Sequence, residues 1–139
     1  MFSQASTFGR PRHHANLYQQ VGVETSVVSA NPHTLTLMLY DGLLTQVKLA
    51  RQALAEGRVA DKGRHIGRAA QIIDEGLRSA LDTKAGGDIA LNLRDLYDYA
   101  QIRLLQANRH NDDAALKEVL SLIEPVREAW AAIGVKFPG

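Results

Sequence analysis

Five polar residues between positions 41 and 56 follow one narrow strip of a helix, each three or four residues after the last: Asp41, Thr45, Lys48, Gln52 and Glu56. At 100° per residue this spacing predicts a helix that is apolar around most of its circumference. Asn31 suits the N-cap, Pro32 suits the first helical position, and Gly57 supplies a left-handed stop. We therefore expect the first helix at 32–56.

The same periodicity predicts three further helices, at about 60–82, 88–111 and 113–133, each with one apolar stripe. Asp88 is the expected N-cap of the third helix. The acidic residues Asp112 and Asp113 suit the positive N-terminal end of the fourth. Pro125 lies inside the last pattern, so we expect it to kink that helix or to divide it near Glu124.

The predicted fold class is all-α: an antiparallel up-down four-helix bundle with a short N-terminal segment or helix packed across it. Beyond residue 30 there is no clear strand-like alternation, and the short connections favour antiparallel neighbours. We expect residues 1–16 to form a disordered tail and residues 17–137 a single helical domain. The stretch from 18 to 29 is compatible with an extended chain or with one or two helical turns.

Two of the helices carry more apolar surface than one buried face requires. The surplus positions, four on the first helix and four on the third, are Leu37, Tyr40, Leu44, Val47, Leu91, Tyr99, Ile102 and Leu105. Three explanations are open: the two helices lie in the middle of the bundle, the bundle self-associates, or it binds an amphipathic helix through anchors at i, i+3, i+4 and i+7. Large aromatic residues such as Tyr40 and Tyr97 are more often found in a core.

Composition narrows the classes of function. The 139 residues include 16 basic and 15 acidic residues, interspersed along the chain, and no cysteine. This excludes disulfides and thiolate sites, and it makes nucleic acid a poor partner because no basic tract is present. The N-terminus lacks the apolar run of a signal peptide, and no stretch approaches 18 apolar residues. We expect a cytoplasmic protein without membrane insertion.

No group of residues in the sequence indicates catalysis, a metal site or a cofactor. His33, His65 and His110 fall near different helix ends, without the spacing that a zinc or di-iron site requires. Gly86 and Gly87 lack the further glycines and the lysine of a phosphate-binding loop. We therefore expect a binding protein and not an enzyme.

Four sequence blocks resemble the flagellar secretion chaperone family, FliS, over Tyr18 to about Ile133. The blocks are Tyr18 with Val21-Gly22-Val23-Glu24-Thr25; Pro32-His33-x-Leu35-x-x-Met38-Leu39-Tyr40-Asp41-Gly42; Gly86-Gly87-Asp88-Ile89-Ala90 with Asn92-Leu93-x-x-Leu96-Tyr97-Asp98-Tyr99; and Leu104-Leu105-x-Ala107-Asn108 with Ala129-Trp130. Each block alone is weakly specific, but four in order with matching intervals are specific. Two departures are the 17 residues before Tyr18 and Asn31 in place of the family's usual serine.

The resemblance implies a chaperone that binds the C-terminal amphipathic segment of flagellin, prevents its premature polymerisation and presents it to the flagellar export apparatus. It also implies an N-terminal lid over part of the empty binding surface, matched by Tyr18, Val21 and Val23. Tyr18 is equally interpretable as a hydrophobic staple on the first helix. The eight surplus positions are the predicted flagellin contacts. A homodimer is also compatible with the sequence. The alternative function is a self-associating helical scaffold or adaptor that does not bind flagellin.

Overall fold

The computed structural model describes residues 31–81, 84 and 86–136, and these form helices connected by short turns. Helix α1 is Pro32–Ala55, α2 is Val59–Gln71, α3 is Gly87–His110 and α4 is Asp113–Lys136. A π-helix, Ile72–Arg78, continues α2 directly. No strand occurs in this described part of the chain, and none of its helices is long and apolar enough to cross a membrane.

The ends of α1 are set by the residues that the sequence indicated. The Asn31 side chain accepts a hydrogen bond from the Thr34 amide at 2.8 Å, and Pro32 follows it as the first helical residue. Gly57 has φ of +75°, a conformation that glycine adopts without a steric penalty. The N-cap and the left-handed stop are both confirmed.

Contacts between helix ends define the up-down arrangement. Arg51 near the end of α1 pairs with Asp113 at the start of α4, at 2.8 Å. At the opposite end, the His33 and Trp130 rings stack with their centroids 5.1 Å apart. Helices α1 and α4 are therefore antiparallel, and contacts between α2 and α3 show the same relation. The all-α four-helix bundle is confirmed; the N-terminal segment expected across it lies outside the described residues.

Lys62 links α2 to the C-terminal end of α3. It is only 3% exposed, and its Nζ donates hydrogen bonds to the Asn108 carbonyl oxygen at 2.9 Å and to Asn111 Oδ1 at 2.7 Å. Asn111 has φ of +52° and ends the helix in the left-handed conformation. An ammonium group at this position interacts favourably with the negative end of the α3 dipole.

Three of the four surplus apolar positions on α1 are buried, as expected for a helix packed between neighbouring helices. Tyr40, Leu44 and Val47 are buried, with Leu44 the most accessible of the three at 7% exposed, and Leu37 is half-buried. The reason is that α1 packs against both α2 and α4 and contacts α3 across the core through Tyr40 and Tyr97. A helix with three neighbours needs a wider apolar arc than a helix with one.

The diagonal contact between α1 and α3 is made by two tyrosines. The hydroxyl groups of Tyr40 and Tyr97 lie 2.5 Å apart inside the core, so one donates a hydrogen bond to the other. Burial raises the pKa of both phenols above the ordinary value. The pair satisfies two polar atoms that would otherwise be left unpaired in an apolar interior.

Other expected helix boundaries were wrong by a few residues, and one segment has a different type of helix. The second helix changes to the π form at Ile72 and ends at Arg78 instead of 82. Gly86, not Asp88, occupies the N-cap of α3. Helix α4 runs through Pro125 without division. Pro125 and Ser121 are both exposed, so the hydrogen bond that proline cannot make is lost on the solvent side of α4.

Candidate functional site

Three large apolar side chains lie exposed along α3. Tyr99 is 42% exposed, Ile102 53% and Leu105 50%. Because they are three residues apart, they follow one side of the helix, and we call them the α3 stripe. Monomeric proteins rarely leave contiguous apolar surface exposed without a use for it.

A groove runs beside the stripe, between α2 and α3, and has a volume of about 320 Å³. We call it the α2–α3 groove. Its walls are mostly apolar, and Leu105 belongs to both the groove and the stripe. The residues that line it are Ile66, Gly67, Ala70, Gln101, Leu104, Leu105 and Asn108.

Small residues on α2 create this space. Gly63, Gly67 and Ala70 are four and three residues apart, so they share the side of α2 that faces α3. A Cβ placed on Gly67 would meet nothing within 4 Å, whereas one on Gly63 would lie 3.6 Å from Asn108 Oδ1. The groove is therefore open at Gly67 and closes towards Gly63.

Hydrogen bonds fix both edges of the surface. On the α4 side, the Tyr99 hydroxyl donates to Glu118 Oε2 at 2.9 Å, and this hydrogen bond raises the pKa of the phenol. Arg103 pairs with the same carboxylate at 2.6 Å. On the α2 side, Gln101 Nε2 donates to the Ala70 carbonyl oxygen at 2.9 Å. The exposed apolar residues of α3 thus lie between a hydrogen bond to α4 and a hydrogen bond to α2.

The predicted site residues divide into two groups. Tyr99, Ile102 and Leu105 come together on the surface, and Leu91 is half-buried about 12 Å further along the same helix. The four residues of α1 do not join them, because three are core and Leu37 is half-buried. The lid residues Tyr18, Val21 and Val23 lie outside the described residues.

Sequence reasoning missed the α2 side of the groove. Gly67, Ala70, Gln101 and Asn108 carry no functional motif that would single them out as groove residues in the sequence. The available signal was the run of small residues at 63, 67 and 70, which allows close approach or leaves a gap. Periodicity alone does not distinguish those two outcomes.

The chain is similar to proteins of one family over most of its length. The chain matches the family described as Flagellar protein FliS over residues 14–136. It is 48% identical over 119 residues to the flagellar secretion chaperone FliS of Salmonella typhimurium, a match that covers 86% of this chain and 88% of that protein. The flagellar secretion chaperone FliSB of Pseudomonas aeruginosa is 44% identical over 116 residues, covering 84% and 91%.

A more distant relative, the flagellar secretion chaperone FliS of Bacillus subtilis, is 37% identical over 113 residues and covers 81% of this chain and 80% of its own. The matches span nearly the whole described bundle. The chain belongs to the FliS family, which is a family of flagellar export chaperones and not of enzymes.

Proposed function

We propose that this protein binds the C-terminal amphipathic segment of flagellin before export, and that the α2–α3 groove with the α3 stripe is the docking surface. Family membership supports the chaperone role, and the surface supplies a place for a helix. A partner helix would bury its apolar face in the groove and on the stripe, which is helix-in-groove recognition. A subunit whose self-complementary helix is covered in this way cannot polymerise.

The observation that carries the proposal is the exposure of Ile102 and Leu105 beside an open apolar groove. Both side chains are about half exposed, and Leu105 lines the groove directly. Covering such residues removes apolar area from water, which drives association. The nearby amide and carboxylate groups, Gln101 and Glu118, would orient the partner at the edges.

The N-terminal segment is the proposed lid of the empty surface, with Tyr18, Val21 and Val23 as its apolar contacts. Asn31 is thirteen positions after Tyr18, a reach of about 45 Å when the chain is extended. The start of α3 lies at the same end of the bundle as Asn31, and Gln101 lies about 21 Å further along that helix. The segment is therefore long enough to reach the groove, and flagellin would have to displace it.

The flagellar export apparatus is the second proposed partner, because a holding chaperone has to deliver its cargo. The surface opposite the groove, where α1 and α4 pair through Asp41 and Arg127 and through Lys48 and Glu124, carries charged side chains. That face stays free while flagellin occupies the groove.

Substitution on the stripe tests the docking surface. Ile102→Asp should weaken binding of a flagellin C-terminal peptide by about 2–3 kcal/mol, or about 30- to 150-fold in Kd, because it places a charge in the buried centre of the interface. The matched control is Ile89→Asp, since Ile89 is 72% exposed on the same helix but lies outside the groove and the stripe. Calorimetry measures Kd, and circular dichroism checks that both variants keep their helix content.

Equal affinities for the Ile102→Asp variant and the unmodified protein would refute this surface. A homodimer is the competing use of the same stripe. It would appear as a concentration-dependent mass that Ile102→Asp abolishes, without any binding of the flagellin peptide.

A further inference from the structure

The π-helix Ile72–Arg78 contains a residue that does not fit the apolar stripe of a regular helix. Ile66, Ile73 and Leu77 share one face at 100° per residue, but Ile72 falls roughly 140° from Leu77. In the structure Ile72, Ile73 and Leu77 are all buried. The π register closes its hydrogen bonds five residues apart, which brings Ile72 and Leu77 towards the same face.

Two packings of this stretch therefore compete. An α register is the far commoner conformation but would turn Ile72 away from Leu77, while the rare π register buries all three large side chains. Long π-helices are rare, and single π turns recur at functional sites. The described fold holds seven residues in this register, so other contacts have to favour it.

Those contacts come from α3, and they bracket the π-helix. Gln101 Nε2 donates to the carbonyl oxygen of Ala70, two residues before the π-helix begins. Arg78, the last π residue, pairs with Asp98 on the same helix. Asp98 and Gln101 are one turn apart on α3. Gln101 therefore contacts the chain just before the π-helix begins, and Asp98 contacts the last residue of the π-helix.

Ala70 and Gln101 also line the α2–α3 groove. We propose that the π-helix is a register switch, held by the Gln101 amide and released when a helix in the groove takes that amide for itself. The identity of the occupant rests on the proposed function. Release would return 72–78 to the α register, which turns Leu77 and Arg78 relative to α3. Binding in the groove would thereby change the helix register at 72–78 and the Arg78–Asp98 ion pair.

Nuclear magnetic resonance couplings across hydrogen bonds measure the register directly in the full chain. A π register joins the Gly76 amide to the carbonyl of Gln71, and an α register joins it to the carbonyl of Ile72. We expect the coupling to move from Gln71 to Ile72 in the Gln101→Leu variant without any partner. Gln101→Glu, whose carboxylate cannot donate to a carbonyl, should give the same shift and serves if the leucine variant folds poorly.

Gln106→Leu is the matched control, because Gln106 lies on the same helix but accepts a hydrogen bond from Arg103 and does not line the groove. Its coupling should stay at Gln71. Saturation of the unmodified protein with a flagellin C-terminal peptide should move the coupling to Ile72. A coupling that stays at Gln71 in both Gln101 variants, or in the saturated complex, overturns the switch. Absence of peptide binding would overturn the proposed function, and the Gln101 variants would still decide whether the amide holds the register.

Discussion

Gly67 offers the sharpest perturbation of the groove, because the site is open where a side chain would be added. A Cβ at this position meets nothing within 4 Å, so Gly67→Ala should fit without movement. Replacing a helical glycine by alanine stabilises a helix by about 0.8–1 kcal/mol. The melting temperature of the alanine variant should therefore rise by about 3–5 °C.

Gly67→Leu extends the same change into the space that a partner helix would use. Its branched side chain projects into the groove of about 320 Å³ and occupies the part opposite Leu104 and Leu105. An anchor side chain of the partner would lose that position, and losing one buried apolar side chain costs about 1.5–3 kcal/mol. We expect a Kd for the flagellin C-terminal peptide that is about 10- to 150-fold higher, with the bundle fully folded.

Calorimetry gives the Kd and a thermal melt followed by circular dichroism gives the stability of the same samples. Ala114→Leu is the matched control, since it adds a leucine to an exposed position of α4 outside the groove. We expect Gly67→Leu to lose affinity without losing stability and Ala114→Leu to lose neither. A Gly67→Leu protein that binds as tightly as the unmodified protein would refute the groove as the docking surface.

Three further changes test the remaining parts of the account. Lys62→Met should lower the free energy of unfolding by about 1–3 kcal/mol in urea titration, because it leaves the carbonyl oxygens at the end of α3 without their buried donor; an unchanged midpoint would contradict this. The raised pKa of Tyr40 and Tyr97 means that unfolding favours phenol ionisation, so stability is complete below about pH 10 and falls as the pH rises above it. The loss of stability above pH 10, measured by urea titration, should be smaller in a Tyr40→Phe/Tyr97→Phe double variant than in the unmodified protein. Equal losses in the two proteins would show that the tyrosine pair is not responsible. Deletion of residues 1–24 should leave the affinity for flagellin unchanged or increase it, because the proposed lid no longer competes; a marked decrease measured by calorimetry would count against the lid.

The ends of α1 were predictable from the sequence because local chemistry sets them. Asn31 caps with its own side chain, Pro32 needs no amide partner, and Gly57 adopts its positive φ without a steric penalty. None of these effects depends on distant parts of the chain. The start of α3 was harder, since Gly86 displaced Asp88 from the N-cap position.

The burial of α1 could not be read from its periodicity. A helix has a wide apolar arc either because it packs against several neighbours or because it carries an exposed binding face. Only the arrangement of the helices shows that Val47 is buried and Ile102 exposed. The π-helix is a similar case, because the burial of Ile72 depends on what α1 and α3 place opposite it. The groove depends on the gap between two helices, and the small residues at 63, 67 and 70 are compatible with either contact or space.

The central claim is that this bundle binds the C-terminal segment of flagellin. The most direct measurement titrates the full chain with flagellin and with flagellin lacking that segment, each as monomer, in a calorimeter. We predict a saturable complex with intact flagellin and a loss of at least 100-fold in affinity with the truncated form. Equal affinity for the two forms, or no complex with either, would contradict the account.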